Sequence, residues 1–287
     1  MKKILTAVML AVVAAQSAHA AIATPASGNG EMFFVIHNPT LQVSFTKDLG
    51  IGLETFLASG SDPSYSQAFN IAADANWGAY QTAVGATGPG GLAGSFWAVM
   101  AFDATGSANP NAQRLLTTSR TAAGGFEATA VQMRGTTNQR FSAMINNSNV
   151  AAFFDFVNQT GSHGVSGQIL NFAANGSSVN SITDPFPRAY FGQAQALTPS
   201  FNALASFSST SAVGEKALFA YMTRSGLGNG ATAFATVTPF GNADVPFATW
   251  EFDGQTLAYA VPEPSTYALL GLGLAGLLAY TRRRQAV

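Results

Sequence analysis

Short runs of Val, Phe and Thr, each interrupted by Gly, Asn, Pro or Asp, make up most of this 287-residue chain. Runs of this kind between turn residues are typical of β-strands. Leu41, Val43 and Phe45 alternate with polar neighbours, which predicts a strand that is buried on one face. The pattern therefore predicts a mostly β fold, built as a single β-sandwich or jelly-roll-like body.

Seven further segments share this composition and are predicted strands: 32–36, 95–102, 126–133, 217–221, 232–237, 249–252 and 256–260. The last two flank Asp253-Gly254, which is a strong signal for a β-hairpin. One or two short helices are predicted in 52–59 and 139–158, where Leu and Phe recur at helical spacing. The second range is interrupted by Asn and Ser, so it predicts either two short helices or a helix and a strand.

The N-terminus has the three parts of a secretory signal peptide. Two lysines precede an apolar run, 4–15, and Ala18 and Ala20 form the small-x-small pattern of a cleavage site. We expect the secretion machinery to export the chain and cleavage to follow Ala20, which leaves 21–260 as the exported body. The alternative is an uncleaved membrane anchor, for which the apolar run is short.

The C-terminal tail, 261–287, has a second three-part pattern. Pro262, Glu263 and Pro264 come first, and the two prolines prevent an upstream helix from continuing. An apolar run of fifteen residues follows and predicts a transmembrane helix. It would span only about 22 Å, against about 30 Å of hydrocarbon, so we expect temporary membrane insertion. The alternative is a buried C-terminal helix, which the uniform apolarity disfavours.

The predicted span includes two tyrosines near its ends and six leucines between them. Together with the threonine that begins the run, the residues assigned to the membrane span are Thr266, Tyr267, Leu269, Leu270, Leu272, Leu274, Leu277, Leu278 and Tyr280. Arg282, Arg283 and Arg284 follow, and the positive-inside rule predicts that they lie on the cytoplasmic side.

The order of proline motif, short apolar span and arginine cluster resembles the PEP-CTERM sorting signal. The resemblance implies recognition by an exosortase, which processes its substrates near the proline motif after transient insertion in the inner membrane. It also implies a final location at the cell surface or in the extracellular matrix of a Gram-negative bacterium, in contact with exopolysaccharide or biofilm. The same tail is also described as an ice-binding protein C-terminal domain, a label for the tail and not for the body.

A second resemblance lies in the body. The stretches VIHNPTLQVSFTKDLGIGLETFL, SFWAVMAFDATG and RLLTTSR are similar to segments that recur in some PEP-CTERM proteins. This resemblance implies a shared exported body and no particular activity.

The charge of the body argues against nucleic-acid binding. Residues 21–261 hold eight Lys and Arg against thirteen Asp and Glu, a net charge of about −5. The one local basic concentration, at Arg114, Arg120, Arg134 and Arg140, is interpreted as scattered surface charge. The chain has no cysteine, which excludes a thiol nucleophile, a cysteine zinc site and an iron–sulfur cluster.

The body shows no pattern that predicts catalysis, a metal site or a cofactor. His37 and His163 are isolated along the chain, whereas a metal site needs three or four converging ligands. Glu251 and Asp253 could be the two catalytic carboxylates of a glycosidase. The predicted hairpin turn, however, already accounts for an aspartate at position 253. Trp77 and Tyr80 lie in a loop-like stretch, which makes them the candidates for stacking on sugar rings.

The sequence therefore predicts a non-enzymatic, exosortase-sorted protein with a structural or adhesive role in an exopolysaccharide matrix. Two alternatives remain open: a secreted carbohydrate-active enzyme and an adhesin that binds protein partners. The predicted partners are the exosortase, the secretion machinery and, as a candidate, exopolysaccharide.

Overall fold

The computed structural model describes nine ranges of the chain: 21–86, 89–106, 112–146, 148–163, 176–193, 207–226, the single residue 228, 233–241 and 247–261. The predicted signal peptide, the Ala18 and Ala20 cleavage pattern and the C-terminal sorting tail from Pro262 onward lie outside these described residues.

Eleven strands lie within the described part of the body. They are β1 (Glu31–Asn38), β2 (Val43–Gly52), β3 (Ser66–Asn70), β4 (Phe96–Asp103), β5 (Arg114–Arg120), β6 (Ser177–Ser181), β7 (Ser211–Ala212), β8 (Lys216–Thr223), β9 (Thr236–Pro239), β10 (Thr249–Phe252) and β11 (Thr256–Ala260). The predicted strands at β1, β4, β8, β10 and β11 are confirmed.

The α-helices that lie wholly within the described ranges are α1 (Leu53–Ser59), α2 (Trp77–Ala83), α3 (Gly125–Arg134), α4 (Asn138–Ile145) and α5 (Ser148–Val157). Short 3-10 helices lie at Pro25–Ser27, Ile71–Ala73, Pro89–Leu92 and Pro187–Ala189. The prediction of α1 is confirmed, and α4 and α5 are the two short helices that 139–158 allowed. The predicted number of helices, one or two, is too low.

All eleven strands belong to one antiparallel sheet, which replaces the predicted sandwich of two sheets. Its order is β3-β11-β10-β8-β5-β4-β1-β2-β6, with β7 paired to β4 and β9 paired to β8. The sheet is strongly curled. The rings of Phe34 in β1 and Phe252 in β10 lie 4.9 Å apart, which shows this curl. Four strand spacings separate these strands along the sheet, which would be about 19 Å if the sheet were flat.

The curl gives the body two apolar layers. The inner core lies inside the curl and includes Phe34, Trp97, Trp250 and Tyr259. The outer core lies between the opposite face of the sheet and helices α3, α4 and α5. Every residue of β1 is therefore buried, because its alternating side chains enter both layers. The strand predicted from Val43 and Phe45 is confirmed as β2. The prediction that only one of its faces is buried is wrong, because its first seven residues are all buried.

The predicted strand at 126–133 is wrong, because this segment lies in α3. Ala130 and Met133 are three residues apart and both pack into the outer core, which is helical spacing. Val131 lies between them in sequence and is 58% exposed. Ala, Glu, Gln and Met favour a helix in this segment, and they outweigh the Phe and Val that suggested a strand.

A group of polar side chains bridges the two edges of the curled sheet. Asp74 follows the edge strand β3, and its carboxylate accepts hydrogen bonds from Lys47 Nζ in β2 (2.7 Å) and Ser177 Oγ in the opposite edge strand β6 (2.6 Å). Asn76 Nδ2 donates to the carbonyl of Ser177 at 2.9 Å. Burial alone would raise the pKa of Asp74, but the hydrogen bonds from Lys47, Ser177 and the Asn76 amide outweigh it and hold that pKa below its ordinary value.

We expect Asp74→Asn to lower the free energy of unfolding by about 1.5–3 kcal/mol, since hydrogen bonds to a charged group contribute about this much. Denaturant unfolding measures the loss. The matched control is Asp155→Asn, because Asp155 is exposed on α5 and its replacement is expected to change stability by less than about 0.5 kcal/mol. Equal stability of the two variants would contradict a bridging role for Asp74.

Candidate functional site

The last strand of the body runs directly into the sorting tail. Strand β11 lies between β10 and β3, and its final residue, Ala260, is paired with Thr249 on one side and Ser66 on the other. Val261 follows and is only 4% exposed, as part of the inner core. The described residues therefore belong to the inner core up to Val261, the residue before Pro262.

Aromatic contacts hold this end of β11 in place. Tyr259 is buried, and its ring lies 5.0 Å from Phe56 and 5.1 Å from Trp250. Its hydroxyl donates a hydrogen bond to the carbonyl of Gly60. The strand is thus fixed by side chains as well as by its two ladders.

The loop 60–65 leads into β3 beside this junction and carries a single charge, at Asp62. Hydrogen bonds from the hydroxyl and the backbone N–H of Ser64 hold the pKa of Asp62 below its ordinary value. The carboxylate is exposed, so this part of the body presents a small negative charge to its surroundings.

Residues 260–284 match the family model described as the PEP-CTERM protein-sorting motif. The chain carries a PEP-CTERM sorting signal. The match begins at Ala260, so the last residue of β11 is the first residue of the motif. No curated protein and no solved structure matches the chain.

The PEP-CTERM signal indicates exosortase-dependent sorting of an exported protein that passes through the membrane. Its motif residues Pro262, Glu263 and Pro264, the apolar run and the three terminal arginines lie outside the described residues, so their roles stay predictions. Within the described part of the chain, no helix is long and apolar enough to cross a membrane.

The prediction that Trp77 and Tyr80 stack on sugars at the surface is wrong. They lie on α2, where Trp77 is 1% exposed and Tyr80 is fully buried. The Trp77 ring lies 5.3 Å from Phe45 in β2 and 5.7 Å from Phe252 in β10, so it fills the space inside the curl. The Tyr80 hydroxyl donates to Ser95 Oγ at 3.0 Å, and burial raises the pKa of this tyrosine.

The carboxylates that could have formed a glycosidase pair have structural partners. Asp253 Oδ1 accepts hydrogen bonds from the backbone N–H groups of Gln255 (2.8 Å) and Thr256 (2.7 Å), so it caps the hairpin turn. Glu251 forms an exposed ion pair with Lys216 at 3.9 Å. Glu251 is half-buried and Asp253 is exposed, so the two carboxylates do not form a buried pair.

The arginines that stand close together in the sequence are separated by their partners in the fold. Arg114 pairs with Asp103 (2.7 Å) and with Glu54, and Arg120 donates to the carbonyl of Thr210 at 2.9 Å. Each of these two guanidinium groups therefore has its own partner within the fold.

A buried acidic pair was not predicted from the sequence. Glu31 and Asp48 come together because β1 pairs with β2, with Phe33 opposite Asp48 across a β-bulge that follows Glu31. Burial, and next the charge of Glu31, raise the pKa of Asp48 to about 8, despite the hydrogen bond from the Gly50 N–H and the charge of Lys47. Only the strand register brings the two acids together, and no local pattern indicates it.

His37 lies in β1 and is also buried. It packs against Phe96 and Phe191. Burial lowers its pKa to about 4, so the imidazole is neutral at pH 7. Within the described ranges, no group of three or more His, Asp or Glu side chains could hold a metal ion.

Proposed function

We propose that this chain is a non-catalytic protein of the cell surface or extracellular matrix, sorted by an exosortase, with a structural or adhesive role in exopolysaccharide. The observation that carries the proposal is the PEP-CTERM motif, which begins at the last residue of strand β11. A body whose strand β11 is already paired on both sides can stay folded once the tail is removed.

The composition of the body supports a matrix role. Charged residues make up only 9% of the chain, and neutral polar residues replace them. Trp77, Trp97 and Trp250 are all buried, so contact with sugars would depend on hydrogen-bonding groups rather than on tryptophan stacking. A neutral polar surface can hydrogen-bond to polysaccharide hydroxyls with little charge repulsion between neighbouring copies.

Sorting is tested by two variants of the tail, Glu263→Gln and the replacement of the three terminal arginines by alanine. We expect both proteins to stay uncut in the inner membrane, because one loses the motif charge and the other loses the cytoplasmic anchor. The measurement is the intact mass and the location of the protein in its native host.

The matched control is Glu127→Gln, an identical chemical change at a glutamate that is exposed on α3. This protein is expected to be cut and released like the original. Unchanged release from both tail variants would refute exosortase sorting of this chain.

The role of the body is tested with the processed protein purified from its host and mixed with host exopolysaccharide. Retention without released sugars is expected for a structural or adhesive protein. Released sugars would instead show a carbohydrate-active enzyme. Retention by surface proteins but not by polysaccharide would show a protein-binding adhesin.

A further inference from the structure

The inner face of the edge strand β3 is only partly covered. Strand β3 pairs with β11 on one side, and none of the other described strands pairs with its outer edge. Phe69 lies opposite Leu257, and Gln67 comes two residues before it on the same face. Leu257 is buried in the inner core, so Phe69 and Gln67 also face inward. Both are nevertheless half-buried, because the inner core meets the solvent at this edge of the sheet.

Tyr65 continues the row, two residues before Gln67. Its ring contacts two members of the inner core, Phe56 at 5.6 Å and Tyr259 at 6.0 Å, and the side chain is itself half-buried. Burial raises the pKa of its hydroxyl, and hydrogen bonding with the Gln67 side chain opposes that rise. The partly exposed row therefore consists of an aromatic ring, an amide and a second aromatic ring.

The ring of Phe69 presents one face away from the core. Its other face stacks on the buried Trp250, with ring centroids 6.3 Å apart and an angle of 28° between the planes. Buried rings thus support both Phe69 and Tyr65 from behind. A ligand that covers the two outer ring surfaces would have little side-chain motion to restrict, which favours binding.

This row has the groups that recognise a saccharide. The C–H face of a sugar ring packs on an aromatic ring, and its hydroxyl groups bind polar side chains beside that ring. The amide of Gln67 supplies both donors and an acceptor. Tyr65 and Phe69 are four residues apart, or about 13 Å in an extended chain. A single sugar ring cannot cover both aromatic rings, so the row suits a chain of linked sugars.

The charge around the row favours a neutral ligand. Asp62 is the one charged residue in 60–70, and the hydrogen bonds from Ser64 that lower its pKa keep it ionised at neutral pH. The body as a whole has a net charge of about −5. An anionic polymer would therefore be repelled, whereas a neutral one would not.

We propose that Tyr65, Gln67 and Phe69 form a binding site for a neutral polysaccharide chain. The two aromatic rings stack on sugar units, and the amide of Gln67 binds hydroxyl groups between them. This inference rests on the proposed role in exopolysaccharide and names the contact site for that role.

The test compares the retention of the processed protein and its variants on exopolysaccharide purified from the native host. Phe69→Leu keeps an apolar side chain against Trp250 but removes the flat ring. We expect about tenfold weaker retention, the change that corresponds to roughly 50 Å² of apolar ring surface left uncovered. Phe69→Tyr keeps the ring and is expected to bind like the original protein. Gln67→Ala removes only the amide and is expected to weaken retention severalfold.

The matched control is Phe156→Leu, the same chemical change at another half-buried phenylalanine. Phe156 lies on α5, and its ring stacks on Phe186 at 5.3 Å, so it also rests against a second ring. This variant is expected to be retained like the original protein. Equal losses in Phe156→Leu and Phe69→Leu would overturn the inference, because the effect would not be specific to β3.

Two further outcomes separate this inference from the proposed function. Retention of Phe69→Leu and Gln67→Ala equal to that of the original protein would overturn the site at β3 and leave the matrix role intact. No retention of the original protein would overturn both.

Salt tests the choice of a neutral polymer. Retention is expected to be the same at about 0.01 M and about 1 M salt, since stacking and hydrogen bonds between neutral groups are not screened as ion pairs are. Loss of retention at the higher concentration would show ionic binding and overturn the inference.

Discussion

Replacement of Trp77 by alanine is expected to lower the free energy of unfolding of the body by about 3–5 kcal/mol. Trp77 is 1% exposed, and its ring contacts Phe45 in β2 and Phe252 in β10. It also stacks on Tyr80 at 5.4 Å. β2 and β10 are distant along the sheet, and Trp77 packs between them inside the curl. Loss of the indole therefore leaves a cavity between these two strands. Denaturant unfolding of the processed protein measures the loss.

Two controls separate this packing role from a sugar-binding role. Trp77→Phe keeps most of the ring and is expected to recover a large part of the lost stability. Val131→Ala, at a position that is 58% exposed, is expected to change stability by less than about 0.5 kcal/mol. A stable Trp77→Ala protein with weakened polysaccharide retention would contradict the buried position and restore the stacking hypothesis.

The secondary structure that depends on local patterns could be predicted from the sequence. The hairpin of β10 and β11 follows from two apolar runs around Asp253-Gly254, and the structure forms this hairpin. Helix α3 shows the limit of local patterns, because its Phe and Val suggested a strand. Its Ala, Glu, Gln and Met favour a helix, and the burial of Ala130 and Met133 against the sheet stabilises that alternative.

Contacts between distant segments could not be predicted in the same way. Trp77 follows turn residues and has the local appearance of a surface residue, yet the curl of the sheet encloses it. The Glu31–Asp48 pair depends on the register of β1 and β2, including a bulge. The PEP-CTERM signal could be predicted from the sequence, because its three parts are adjacent in the chain. The match to the family model confirms this prediction.

The buried acidic pair predicts an unusual dependence of stability on pH. The pKa of Asp48 is about 8 in the folded body and 3.8 ordinarily, so between these values the folded state binds a proton that the unfolded state releases. Stability therefore falls as pH rises through this window. At about 1.4 kcal/mol per pKa unit, the total fall is up to about 6 kcal/mol.

His37 acts in the opposite direction over part of the same range. Its pKa is about 4 in the folded body and 6.5 ordinarily, so its contribution to stability rises as pH rises from about 4 to 6.5. The two effects offset each other in that range. We therefore expect the steepest net loss of stability between about pH 6.5 and 8, where the opposing contribution of His37 has ended.

Asp48→Asn is expected to remove this loss, so that the variant exceeds the original protein in free energy of unfolding above pH 8 by a few kcal/mol. The amide oxygen can still accept the hydrogen bond from the Gly50 N–H, which is 2.8 Å long. Urea unfolding at a series of pH values from 4 to 9 measures the difference.

The matched control is Asp155→Asn, which removes an exposed carboxylate and is expected to keep the original pH profile. Glu31→Gln is expected to reduce the loss above pH 6.5 without abolishing it, since burial is the largest cause of the Asp48 pKa and the charge of Glu31 is the second. A parallel pH profile for Asp48→Asn and the original protein would mean that Asp48 is ionised in the fold, with Lys47 and the Gly50 N–H outweighing burial.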